Sequence, residues 1–182
     1  MTALYELSAL EAARSIRAGT ISSEGLVRAL LTRIAVADRA IEAWAFLDAD
    51  YALEQARRAD RSRGAGEPLG PLHGVPIGIK DVFDTADMPT ENGTILHTGR
   101  RPTEDATVVS LLRQAGAIIL GKTVCTELGL VAPGKTRNPH DPARTPGGSS
   151  SGSAAAVVSA PPTTRRNSGR GGYSRCSGTR PS

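Results

Sequence analysis

From Pro161 to Ser182 the chain contains no Leu, Ile, Val, Met or Phe, and 19 of those 22 residues are Pro, Gly, Ser, Thr or Arg. A segment of that composition cannot bury a core and reads as a disordered tail. The fold must therefore come from residues 1–160, which is enough for one domain and too little for two. The tail also carries the charge. It holds Arg165, Arg166, Arg170, Arg175 and Arg180 and no acid, so the +4 of the whole chain becomes 17 basic against 18 acidic residues in the body. Five arginines attract phosphate without sequence preference, and only Tyr173 offers a stacking surface, which argues against a nucleic-acid reader.

Other classes fall on similar grounds. No run approaches the roughly 20 apolar residues of a membrane helix. The start, "MTALYELSALEAARSIRAG", has acids and no apolar signal region, so a cytoplasmic protein is expected. Cys125 and Cys176 make neither a metal spacing nor a disulfide framework, and His73, His97 and His140 show no ligand spacing. Neither a metal nor a cofactor is implied.

The body reads as helices interleaved with short strands. Ser8 and Glu11 form a capping-box pattern, with Gly19 closing the helix. Ser22 or Ser23 can cap a second helix carrying a stripe of Leu26, Val27, Leu30, Leu31 and Ile34. That stripe suits a homodimer contact as well as a core. "AWAFLD" reads as a strand and "YALEQARRADRSR" as a charged helix. In "PLHGVPIGIKD" Val75, Ile77 and Ile79 alternate with Pro76, Gly78 and Lys80, the period of a strand. "DATVVSLLRQAG" is helical up to Gly116, and "AIIL" is a short buried strand. The pattern predicts α/β layering.

"GAIILGKT", Gly116–Thr123, spells the phosphate-loop pattern, which requires a strand before its first glycine and a helix after its lysine. Here Ala117, Ile118, Ile119 and Leu120 want a buried strand inside the pattern, and a helix precedes it. The expected role of Lys122 is a structural ion pair or a surface charge, with Glu127 nearby. Cys125 reads as buried filler.

Two segments carry chemistry. Lys80 ends a strand beside small neighbours. It is either a lysine snorkelling beside Asp81 or a buried amine drawn toward its neutral, basic form. "TPGGSSSGSAAAV", Thr145–Val157, is either a flexible linker or a rigid loop feeding a helix, with Ser151 or Ser153 as cap. The helix following at once favours the rigid loop.

"GVPIGIKD", "GAIILGKT", "NPH" and "TPGGSSSGSAAAV", in that order and spacing, resemble the amidase signature family over about residues 1–158, most closely its malonamidase-like members and the amidase subunit of aminoacyl-tRNA amidotransferases. The resemblance implies the N-terminal portion of a truncated α/β fold, a mixed sheet flanked by helices. It also implies hydrolysis of a small-molecule amide by a Ser–cis-Ser–Lys triad without a cofactor. Carried over, Lys80 is the base and Ser149 the cis-serine that relays the proton; Ser150 and Ser151 are supporting. The nucleophile belongs to a Gly-Gly-Ser loop about two dozen residues on. This chain reads "NSGRGGYSRCSG" there, with Tyr173 in the serine's place and Ser174 one residue late as the remaining candidate. Departure from the family near Ser159 suggests a frameshift, so the chain is expected to hydrolyse amides poorly or not at all. The alternative is a non-catalytic remnant or binding module.

Overall fold

The computed structural model describes residues 3–159. The tail, with Tyr173, Ser174 and Cys176, lies outside the described residues. Five helices and three strands follow in order: α1 (Ala9–Ala18), α2 (Ser23–Ile41), β1 (Trp44–Leu47), α3 (Ala49–Gly64), β2 (Pro76–Lys80), α4 (Thr107–Gln114), β3 (Ile118–Thr123) and α5 (Ser151–Ser159). No helix among the described residues is long and apolar enough to cross a membrane.

Local chemistry sets the helix boundaries. Ser8 Oγ accepts the Glu11 N–H while the Glu11 carboxylate accepts the Ser8 N–H, and Gly19 closes α1 in the left-handed region at φ 72°. Ser22, not Ser23, caps α2, and Asp48 caps α3 by accepting the Tyr51 N–H. Each cap satisfies a backbone donor that a helix start leaves open and is typically worth about 1 kcal/mol.

The sheet has the order β1-β3-β2, with β3 antiparallel to β1 and parallel to β2. The crossover from β2 to β3 contains α4, the usual device for joining parallel neighbours. All six residues of β3 are buried. One side packs Val27, Ala52, Ala56 and Ala155 against Ile118 and Leu120; the other packs Met88 and Val109 against Ile79 and Ile119.

β3 continues beyond the aliphatic stretch, through Gly121, Lys122 and Thr123, and contains an irregularity. Ile77 pairs with Ile119 but Gly78 pairs with Gly121, leaving Leu120 as an extra residue. Such a bulge reverses the alternation of faces. Lys122 therefore joins the side of Ile79 and Ile119, not that of Ile118 and Leu120. Glycine at 121 is a packing requirement, because a Cβ there would collide with the Phe46 carbonyl oxygen.

Beyond β2, the crossover is pinned by Arg100, whose guanidinium donates to both carboxylate oxygens of Asp84, at 2.6 and 2.8 Å. Those hydrogen bonds hold the Asp84 carboxyl below its usual range. Its contribution to stability is thus present above the ordinary Asp value of about 4. It is lost as pH falls through the lower folded-state value. Melting temperatures of the protein and Asp84→Asn, followed from about pH 5 to pH 2, should converge at the acid end.

Candidate active site

Lys80, the last residue of β2, shares its face with Pro76 and Gly78, and that face meets the N-terminus of α5. Its Nζ donates to Ser149 Oγ at 2.8 Å, joining the two residues singled out in the sequence. Asp81, the neighbour beside which Lys80 could have snorkelled, turns to the other side of the sheet.

The serine loop is held against the end of β3. Thr126 N–H donates to the Ser149 carbonyl at 3.2 Å, and Gly152 N–H donates to the Val124 carbonyl at 2.9 Å. Ser153 Oγ and Thr123 Oγ1 lie 2.7 Å apart. Gly147 (φ 79°) and Gly148 (φ 56°) take left-handed conformations that only glycine enters easily, turning the chain into α5. Gly152 lets α5 approach closely: an added Cβ would sit within the hard-contact range of the Ala43 carbonyl and the Val124 backbone.

Two expectations are corrected here. Neither Ser151 nor Ser153 caps α5. Ser151 is its first residue, with an Oγ that finds no partner, and the Ser153 hydroxyl is taken by Thr123. Every peptide bond among the described residues is trans, including that of Ser149. A non-proline cis bond costs about 3 kcal/mol. Here Ser149 reaches Lys80 in the trans form, with its carbonyl satisfied by Thr126.

On the opposite side of the sheet Lys122 is fully buried (0% exposed) and lies 3.2 Å from the carboxylate of Asp81, itself 3% exposed. Lys122 also donates to Pro89 O and Thr90 Oγ1. The Asp81 carboxylate accepts the Glu91 N–H. Of the two roles expected for Lys122, it has the structural ion pair. Burial pushes its pKa down and that of Asp81 up, in each case opposed by the partner's charge. Glu127 accepts from Thr94 Oγ1 at 2.8 Å, Cys125 is buried with its thiol pKa raised by desolvation, and His73 lies 2.9 Å from the Ala59 carbonyl. Among the described residues no group of His, Cys, Asp and Glu could hold a metal ion.

Two cavities flank this arrangement. A groove of about 610 Å³, lined by Leu7, Leu30, Trp44, Leu120 and Val157 among others, touches neither Lys80 nor Ser149. A smaller one of about 180 Å³ opens on Ser149 itself. Despite its size the first is an apolar seam without the chemistry of the second.

The family described as Amidase matches residues 25–160. The chain belongs to the amidase family. It is 47% identical over 155 residues to a glutamyl-tRNA(Gln) amidotransferase subunit from Acidothermus cellulolyticus and 48% identical to the corresponding one from Thermobifida fusca; each comparison covers 82% of this chain and 31% of the relative. Among solved structures, the peptide amidase of Stenotrophomonas maltophilia superposes with a TM-score of 0.77 at 40% identity, over 84% of this chain and 34% of that enzyme. A fatty acid amide hydrolase superposes at 0.80 and 30% identity, over 87% and 29%. The fold is thus that of the amidase signature enzymes, and the chain spans about a third of the length of the relatives it matches.

Proposed function

We propose that this chain carries the base-and-relay half of an amide-hydrolysing site. The Lys80–Ser149 hydrogen bond is the observation that supports the reading. A serine hydroxyl becomes a competent nucleophile when a neighbouring base removes its proton. Lys80, as the base, would accept the Ser149 proton as Ser149 accepts one from a nucleophilic serine, and the nucleophile would attack the amide carbonyl to give an acyl-enzyme. The relay would then return the proton to the departing amine, and water would release the acid. No cofactor enters this scheme, and the partner is a small-molecule amide.

Among the described residues the hydrogen bond of the Ser149 hydroxyl is to Lys80, and Tyr173 stands at the sequence position where the resemblance places a nucleophile. The proposal therefore includes slow or absent turnover by this chain. Purified protein is expected neither to hydrolyse propionamide nor to react with a serine-directed sulfonyl fluoride. Turnover abolished by Lys80→Ala would overturn the incompleteness. The relay itself is tested by joining residues 1–159 to the remaining two thirds of the Thermobifida fusca relative. That chimera should hydrolyse amides, and Lys80→Ala in it should lower kcat about 10²–10⁴-fold, the usual worth of a positioned acid–base group. An active chimera indifferent to Lys80→Ala would refute the role of Lys80.

A further inference from the structure

The larger cavity, of about 610 Å³, runs between α1, α2, α5 and the sheet. Leu4, Leu7, Leu30, Trp44, Leu120 and Val157 supply much of its wall. Its charged residues are already engaged. Glu6, Glu11 and Asp38 accept the N–H groups of Ala3, Ser8 and Ala43, and Arg33 donates to the Ser159 carbonyl. The groove therefore offers an occupant apolar surface rather than free charge, and apolar surface left open in this way marks an interaction site.

Two features say what covers it. Pro76 and Gly78 line the groove and share their face of β2 with Lys80, so its floor leads toward the lysine. Gly78 is exposed within the sheet, and the edge of β2 away from β3 pairs with no other strand among the described residues. An open edge beside an open floor is a template for further chain. The second feature is the end of α5: Ser159 lines the groove, so the polypeptide leaves the helix there. In the Thermobifida fusca relative the matched segment is 31% of the protein, and most of its length lies outside that segment. Residues 161–182 of this chain cannot take that place, because they include no Leu, Ile, Val, Met or Phe to lay against the wall. We infer that the groove is the docking site of a separate polypeptide, homologous to the part of the relatives that this chain does not span. An apolar segment of that partner lies along α5 and the Pro76–Gly78 face of β2, so that two chains share one amidase site. The docking rests on the hydrolytic reading for its purpose, though not for its binding.

Co-expression tests it. The full 182-residue chain, carrying an affinity tag, is produced together with the remaining two thirds of the Thermobifida fusca relative as a separate chain. The expected result is a one-to-one complex that survives affinity purification and size-exclusion chromatography with light scattering. Val157→Asp and Val157→Arg place either charge at a position 72% exposed and should leave the chain's own melting temperature unchanged. Each should lower the complex recovered about tenfold or more, because docking would bury the charge in an apolar wall. Leu111→Arg, at a position 58% exposed on α4 across the sheet, should leave the complex intact. Where the partner is insoluble on its own, both chains are refolded together from urea, and the same complex is expected. No complex by either route, Val157 variants that bind undiminished, or a dimer of the tagged chain alone that those variants dissociate would overturn the inference. Association is read without turnover, so the two proposals fail separately. A complex beside an inactive chimera sinks only the hydrolytic reading, and an active chimera beside two chains that ignore each other sinks only the docking.

Discussion

Lys122→Met should destabilise the protein by about 3–5 kcal/mol, enough to unfold much of the sample, because it leaves a charged Asp81 buried without its counter-ion. The methionine replaces the lysine stem with little change in volume, so the loss is electrostatic rather than a cavity. It also removes the donor to Pro89 and Thr90, which anchor the start of the crossover. Urea denaturation followed by circular dichroism measures the effect. The double variant Asp81→Asn, Lys122→Met should recover a large part of the loss, since replacing both charges of a buried pair is often near neutral. If Lys122→Met alone costs under about 1 kcal/mol, the magnitude of an exposed pair, Lys122 is not buried as described.

Gly152→Val is the second large effect. The Cβ would meet the Ala43 carbonyl and the Val124 backbone at separations real side chains do not adopt, and neither neighbour is a side chain that can swing away. α5 must lift, which breaks the Gly152 N–H bond to Val124 and draws Ser149 from Lys80. A cost of about 3 kcal/mol is expected from overpacking of this kind. Placed in the chimera, the variant should lower kcat by at least as much as Lys80→Ala, although residue 152 is neither Lys80 nor Ser149. Thermal denaturation and the kcat of that chimera check both parts, and a stable, active Gly152→Val would show that α5 does not need this close approach.

Much of this architecture could be read from residue order alone. Helix starts carry their signal locally: Ser8 with Glu11 declares α1 through side-chain oxygens three residues from the donors they meet, whereas at α2 the sequence left Ser22 and Ser23 open and the structure selects Ser22. The proximity of Lys80 and Ser149 was expected from the resemblance to the amidase signature family carried by the motifs around them, and their hydrogen bond agrees with it. The bulge was not legible. "AIILGKT" read by alternation puts Ile118, Leu120 and Lys122 on one face, and only the cross-strand partners Ile77 and Gly78 reveal the extra residue at Leu120. An ion pair was one of the two roles expected for Lys122, but its partner was hidden for the same reason: Lys122 meets Asp81 only once β2 and β3 align. The cap of α5 was ambiguous because Ser149, Ser150, Ser151 and Ser153 are chemically alike, and the choice among them depends on where the helix phase begins.

The attachment of α5 gives the site a thermodynamic handle of its own. The serine loop and α5 are tied to the end of β3 and the residues after it by the Gly152–Val124 bond, the Ser153–Thr123 contact and the Thr126–Ser149 bond, to α2 by the Arg33–Ser159 bond, and to the core by Ala155. Proteins open in cooperative pieces, and the undocking of α5 would be one such local opening. Undocking that costs about 2.7 kcal/mol would leave roughly one molecule in a hundred with Lys80 and Ser149 apart, while the β2–β3 amides stayed protected. Amide hydrogen exchange at Gly152 relative to Ile119 therefore measures the fraction of molecules in which Lys80 and Ser149 are held together.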